Sequence, residues 1–320
     1  MRLATRANGT PDGELMIVSD DAALWRKAGA DWPDLLGAIE RWDEAEPALR
    51  MLSAAGESGW EAFDPALVRA PMPRSWQWLD GSAFTTHGDL MQVAFHLPPV
   101  ETDRPLMYQG MSDRFLGPHD PVPFRSEDDG IDFEGEFGVI VGAVPMGTGP
   151  GQAEACIRLV VQINDWSLRA IAPVEMKTGF GWIQAKPACS MAPFAVTPDE
   201  LGPAWRDGRV CCNLRVERNG TQFGLVDGSQ MAFSFPELIA HAARTRDLAP
   251  GTIIGSGTVS NREYAERGSA CISERRAIEM IAGGAPQTDF LRYGESVRMT
   301  GITLSGHHPF GTLDQQVVRA

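Results

Sequence analysis

Asp132-Phe133-Glu134-Gly135-Glu136-Phe137-Gly138-Val139-Ile140-Val141-Gly142 is the stretch around which the rest of the chain is organised. Val139, Ile140 and Val141 are β-branched and apolar, which predicts a strand, and side chains on a strand alternate between faces. Glu134 and Glu136 therefore project from one side. Two carboxylates that close resist joint ionisation unless a cation, a proton or arginines neutralise them. A hard divalent ion is the simplest answer, and a solvated strand face with two unrelated glutamates is the plain alternative. Other residues decide between them.

With 320 residues, 43% of them hydrophobic, the chain can bury one large core or two domains of unequal size. The N-terminus, Met1-Arg2-Leu3-Ala4-Thr5-Arg6, lacks a basic segment followed by an apolar run. No apolar stretch approaches about 18 residues, so a cytoplasmic protein that neither crosses nor coats a membrane is expected. Cys156, Cys189, Cys211, Cys212 and Cys271 form an odd set without CxxC spacing. They read as reduced thiols, neither a disulfide frame nor a zinc site. A net charge of −14 repels phosphate backbones and anionic lipid, which excludes nucleic acid as a natural partner. An anionic substrate then needs a metal or local cations to receive it.

Residues 3–7 and 14–18 flank Asn8-Gly9-Thr10-Pro11-Asp12-Gly13, which predicts an opening β-hairpin. Leu35, Leu36, Ile39, Trp42, Ala45, Leu49 and Leu52 follow helical spacing, with Pro47 as the expected break. Three prolines lie in the nine residues from Pro65 to Pro73 and mark a crossover, placing a domain boundary near residue 70: a small N-terminal α+β unit over 1–70 and a second domain over 71–320. Asp80 and His87 follow, seven residues apart among aromatics. Gln152 to Leu159 reads as a short helix, and Val160-Val161-Gln162-Ile163 as a buried strand ending at Asn164-Asp165.

Lys186 is a lone lysine in an apolar context, so it either snorkels outward or faces the acidic cluster. Residues 209–225 form a hairpin about Asn219-Gly220, and Ser234-Phe235-Pro236-Glu237 is a capping box opening a helix to about Arg246. Gly255-Ser256-Gly257-Thr258 lacks the lysine of a phosphate loop, and Ser126 to Gly130 lacks the oxygen spacing of an EF-hand. G-x-S-x-G, H-E-x-x-H and a strand–GxGxxG–helix unit are absent, which lowers serine hydrolase, zincin and dinucleotide-enzyme readings. The tail alternates strands and turns, including 296–304 and 310–318.

Taken in order, Asp80 with His87, Tyr108, Glu134 with Glu136, Asn164-Asp165 with Ser167 and Arg169, Lys186, Gly255-Ser256-Gly257-Thr258 and the closing Gly294-Glu295-Ser296-Val297-Arg298 resemble the fumarylacetoacetate hydrolase family from about residue 75 onward. The resemblance implies a strand-rich α+β protein, with a mixed β-roll catalytic domain preceded by a small SH3-like β-barrel, usually homodimeric. It implies metal ligation by Asp80, Glu134, Glu136 and Asp165. Four carboxylates without metal would be an unstable cluster, and oxygen ligands select Mg²⁺, Ca²⁺ or Mn²⁺ over zinc.

The same resemblance implies that His87 activates water, that Lys186 is catalytic, and that Tyr108, Ser82, Arg169 and Thr258 contact substrate. The glutamate partner of the catalytic histidine is not cleanly matched. Ile272 falls at its position, and Glu274 is two residues on, expected on the same face of a strand. Positions that carry a second tyrosine, an arginine, a glutamine and a further tyrosine in the family's namesake enzyme are Ser82, His96, Ala172 and Met176 here. The implied activity is metal-dependent cleavage of a carbon–carbon bond in a small anionic β-diketo or acylpyruvate-type acid, of the kind met in aromatic compound catabolism. Within the family, 2-oxo acid decarboxylation, hydration or isomerisation uses the same site without attacking water. A noncatalytic scaffold stapled by a cation is the rival from another class.

Overall fold

The computed structural model describes residues 1–56, 58–96, 98 and 103–320. The acidic stretch supplies its central strand, Gly135–Val141, every residue of which is buried. Ile157–Asn164 runs antiparallel along one edge, matching Val160 to Val139. Ile253–Gly255 pairs along the other edge, matching Ile253 to Ile140. Alternation then divides the core. Phe137, Val139 and Val141 face the larger apolar cluster, with Leu214, Val216 and Phe310. Ile140 faces a second cluster with Leu3, Ile17, Leu159, Val161 and Ile163. A strand buried on both faces reads as a nearly continuous apolar run, which is how 137–141 was legible.

The sheet continues outward from Ile253–Gly255 to Trp78–Gly81 and Met107–Gly110, and on the other side through Ala195–Val196 to the N-terminal strands. Of these pairings, Trp78–Gly81 with Ile253–Gly255 is parallel, so the sheet is mixed. A separate five-stranded sheet includes Asn213–Arg218, Thr221–Asp227, Ser296–Ile302 and Thr312–Arg319. Asn219 and Gly220 make the expected turn at φ 51° and 73°, conformations that Asn and Gly tolerate.

Arg2–Arg6 and Glu14–Val18 form the expected opening hairpin, with Leu3 opposite Ile17. These strands join the large sheet, since Leu3 also pairs with Ala195. One of their faces is covered by Leu35, Ile39 and Leu49, and the other packs Met16, Val18 and Trp25 on Phe194. Pro47 does not break the helix. Trp42–Ala54 runs through it, with Trp42, Ala45 and Leu49 buried and Pro47 on the exposed side. The interruption falls at Arg41, between Leu35–Glu40 and Trp42–Ala54.

Two other boundaries differ from the sequence pattern. The helix expected over 152–159 stops at Ala153, followed by a 3₁₀ turn, because Ile157 and Leu159 pair with Val141 and Ile140 and so belong to the sheet. The capped helix at Ser234 ends at Ala242, short of Arg246. No helix among the described residues is long and apolar enough to cross a membrane.

Gly255 sets the spacing behind the acidic cluster. A β-carbon there would collide with Asp80 Oδ1 and the Trp78 ring. Gly255→Ala is expected to destabilise the fold by about 1–3 kcal/mol, as overpacking does. Urea unfolding measures it, and an unchanged midpoint would show that this strand pair has room to spare.

Candidate metal and acid–base site

Three chain segments deliver carboxylates to one buried point. Asp80 lies mid-strand, opposite Tyr108 on one side and Gly255 on the other. Glu136 lies near the start of the central strand, and Asp165 follows the end of Ile157–Asn164. Ligand oxygens of Asp80, Glu136 and Asp165 all lie within 4.8 Å of one another, and all three residues are buried. Asp80 accepts the Gly257 N–H at 3.0 Å. Asp165 accepts from Tyr108 Oη at 2.7 Å and from Lys186 Nζ at 2.5 Å. Both carboxylate oxygens of Glu136 are buried without a hydrogen-bond partner among the described residues.

Burial first, then the charges of Asp165 and Glu134, hold Asp80 well above the usual carboxylate range, against the pull of Lys186. Burial, then Asp80, Asp165 and Glu134, does the same to Glu136. Where Glu136 and Asp80 meet, two carboxylates offer no donor, so they share a proton or take a cation. The orphaned oxygens of Glu136 and the all-oxygen donor set fit a hard divalent ion. Cys189 does not alter that set. Its Sγ donates to Asp165 Oδ1 at 3.0 Å, and burial followed by the Asp165 charge pushes the thiol up, which keeps it protonated.

Glu134, the fourth expected ligand, stands outside this trio. Its Oε1 accepts from Ser167 Oγ at 2.7 Å, Arg169 Nη2 at 2.7 Å and Lys186 Nζ at 2.8 Å. Its Oε2 accepts from Thr258 Oγ1 at 2.5 Å. Burial would raise the Glu134 carboxyl, but Lys186, Arg169 and His87 together outweigh it and hold it well below its ordinary range. Lys186 thus faces the acids, and its charge is divided between Glu134 and Asp165. Burial would lower its pKa, yet those carboxylates raise it.

His87 sits in the first turn of the helix Thr85–Phe95. Its Nδ1 lies 3.0 Å from Glu274 Oε2, across 187 positions of chain. Nδ1 is the ring nitrogen that faces Glu274, which leaves Nε2 as the one directed away from it. Glu274 is fully buried, and it stands on a helix, Ile272–Gly283, where a strand was expected. The helix's first amides are capped from near and far: Cys271 Sγ accepts Glu274 N–H at 3.3 Å, and Asp132 accepts Ile272 N–H at 2.7 Å and Ser273 N–H at 2.9 Å.

Asp132 is the residue that sequence reasoning missed. Fully buried, it also accepts Arg169 Nε at 2.8 Å, so one carboxylate ties the helix carrying Glu274 to the guanidinium holding Glu134. Its signal was the alternation Asp132, Glu134, Glu136, which extends the quoted pair by one more acid. Arg169 is correspondingly engaged by Asp132 and Glu134.

Tyr108 is half-exposed overall, but its hydroxyl end is buried. That burial, then the charges of Asp165 and Asp80, pushes its pKa well up. Thr258 reaches the cluster through Glu134, whereas Ser82 is exposed at the end of the Asp80 strand, hydrogen-bonded through its backbone N–H to Leu106 O at 2.9 Å. Of the substituted pocket positions, Ala172 is buried, Met176 is exposed, and His96 is the left-handed residue ending the His87 helix. A cavity of about 310 Å³ bordered by Leu201, Arg206, Cys211, Arg267 and Leu304 shares no residue with this site.

The chain belongs to the fumarylacetoacetate hydrolase family: residues 77–318 match fumarylacetoacetate (FAA) hydrolase C-terminal, and residues 1–74 match fumarylacetoacetase N-terminal domain 2. This is an enzyme family with hydrolase and tautomerase members. Among relatives, the chain is 27% identical over 163 residues to 2,4-didehydro-3-deoxy-L-rhamnonate hydrolase from Sphingomonas sp. (strain SKA58), covering 50% of this chain and 54% of that one. It is 25% identical over 164 residues to the mitochondrial oxaloacetate tautomerase of Xenopus laevis, covering 48% and 47%. These matches therefore span about half the length of those relatives. The crystal structure of maleylpyruvate hydrolase from Sphingobium sp. SYK-6, in complex with manganese(II) and pyruvate, shares the fold over 100% of both chains at a TM-score of 0.67 and 16% identity.

Two outcomes follow from the charge balance. Glu136→Gln is expected to leave the metal-free protein as stable as wild type or more so, because a repelling charge is gone. If the trio takes a divalent cation, the variant should also lose most of the stabilisation that the added ion gives wild type, about 2.7 kcal/mol at 100 times Kd. Melting with and without cation checks both. Lys186→Met strands two buried carboxylates and is expected to cost about 3–5 kcal/mol in denaturant unfolding with chelator present; a loss below 1 kcal/mol would show that protons, not Lys186, balance those charges.

Proposed function

We propose that this protein is a divalent-cation-dependent hydrolase that cleaves a carbon–carbon bond in an acylpyruvate or β-diketo acid, acting as a homodimer in aromatic compound catabolism. The reading is carried by the His87–Glu274 pair, whose imidazole acts electrostatically on Glu134, together with the buried carboxylate trio. Asp80, Glu136 and Asp165 would hold the cation, with Mg²⁺, Ca²⁺ and Mn²⁺ the candidates. A bound divalent ion supplies Lewis-acid polarisation of carbonyl oxygens.

His87 Nε2 takes a proton from water, whose oxygen adds to the acyl carbonyl carbon. Glu274 stabilises the imidazolium and fixes its ring. The carbon–carbon bond then breaks, its electron pair passing to the leaving half as an enolate, and the proton on His87 returns to that carbon. Lys186, lodged between Glu134 and Asp165, adds positive potential near the developing charge.

A tautomerase relative supports a second reading, in which the same base moves a proton between carbon and oxygen without attacking water. Incorporation of ¹⁸O from labelled water into the acid product separates the two, since only hydrolysis incorporates it. A panel of acylpyruvates with Mg²⁺ or Mn²⁺, followed by loss of diketo-enol absorbance, tests the activity itself. His87→Ala is expected to lower turnover by about 10²–10⁴ with cation binding retained, and near wild-type hydrolysis would remove His87 as the base. With His96, Ala172 and Met176 lacking fixed partners for a distal carboxylate, a monoacid acylpyruvate should outcompete fumarylacetoacetate in kcat/KM. A preference for the fumaryl diacid in direct competition would refute that pocket argument.

A further inference from the structure

Trp182 has no part in the mechanism above, yet it touches two residues of the site. Its ring centroid lies 5.9 Å from that of Tyr108, at an interplanar angle of 47°. The Lys186 ammonium lies 5.3 Å from the Tyr108 centroid and 5.7 Å from the Trp182 centroid. The two rings form an aromatic wall whose inner end is anchored to the carboxylate cluster through the Tyr108 hydroxyl.

The segment that carries Trp182 is held in place at its base. Glu175 accepts the backbone N–H groups of Ile183 at 3.1 Å, Gln184 at 2.9 Å and Ala185 at 3.0 Å. Just before Trp182, Gly179 and Gly181 adopt φ 72° and 97°, where other residues are strained. Phe180 and Ile183, close to Trp182 in the chain, are apolar and 96% and 83% exposed. The chemistry of this wall suits one kind of neighbour. Aromatic faces repel anions and attract apolar or aromatic groups. Lys186, the adjacent cation, directs its ammonium to Glu134 and Asp165, at the reacting end.

We propose that Trp182 is a specificity-determining residue: with Tyr108 it receives the apolar, non-reacting end of a 2-oxo acid whose reacting end lies at the carboxylate cluster, and Glu175 positions it. This rests on the 2-oxo acid reading given under Proposed function. The carboxylate cluster selects the oxygen-rich end of the substrate, and the wall selects what is attached to it.

Calorimetric binding to the Mn²⁺-loaded protein tests this with oxamate and N-phenyl oxamate, which share one head and differ by a ring. Wild type should bind the phenyl compound roughly 3- to 10-fold more tightly, the range expected for one aromatic contact. Trp182→Ala should abolish that ratio while changing oxamate affinity by less than about twofold, and Trp182→Phe should retain most of it by keeping a ring. Glu175→Gln should reduce the ratio without reaching the alanine value. A ratio unchanged in Trp182→Ala would make Trp182 a purely structural residue, and equal weakening of both compounds would place it at the reacting end; either overturns the proposal. If wild type binds both compounds equally, this proposal alone fails. If it binds neither, the 2-oxo acid reading fails and takes this one with it.

Discussion

Too much negative charge in a dry interior is the constraint on which the site depends. Asp80, Asp132, Glu134, Glu136 and Asp165 are all buried, and Arg169 and Lys186 are the cations hydrogen-bonded among them. Isolated carboxylates cannot remain ionised in such surroundings, so each must be paired, protonated or bound to an ion. The structure divides the group accordingly. Asp132 and Glu134 are satisfied by backbone amides, hydroxyls and the two cations, and Asp165 by Lys186 and Tyr108. The deficit is concentrated on Asp80 and Glu136, whose carboxyls are pushed up and face each other without a donor. Concentrating the deficit at one point is what creates a place for a divalent cation.

The scaffold keeps that point rigid by close approach of backbone. Asp80 and Glu136 stand on strands that flank Ile253–Gly255, and Gly138 lets the central strand lie tightly against its neighbour. A β-carbon at Gly138 would sit 2.7 Å from Ile163 Cδ1 and 3.1 Å from Ile254 O. Gly257 at φ 76° brings the following loop against Gly81 and Ser82, where its N–H reaches Asp80. Thr258 then meets Glu134. The Gly-Ser-Gly-Thr loop thus serves carboxylates, not a phosphate.

The His87–Glu274 pair and the charge-balancing residues are joined by contacts. Asp132 caps the helix that presents Glu274 and also holds Arg169, which holds Glu134, which holds Lys186. Helices Thr85–Phe95 and Ile272–Gly283 pack through Leu90, Ala94 and Ala277, which fixes His87 against Glu274. One run of hydrogen bonds thus connects the helix that carries Glu274 to the ion pairs of the cluster.

What the sequence determined by itself was local. The apolar run Val139-Ile140-Val141 marked a buried strand, Asn219-Gly220 marked a turn with two positive φ angles, and Ser234 with Glu237 marked a helix start that forms as a capping box. Each depends on neighbours within a few residues, and the resemblance to a family extended these marks to a set of site residues. Tertiary structure decided the rest. Ile272–Gly283 has its first amides capped by Asp132, 140 positions away, as well as by the adjacent Cys271, and Trp42–Ala54 passes through Pro47 because three buried side chains outweigh one missing hydrogen bond. Glu134 turned to the cations while Glu136 stayed unpartnered, a difference between two identical side chains two positions apart. It arises because Lys186, Arg169 and Thr258 reach only the first of them, and no spacing along the chain carries that information.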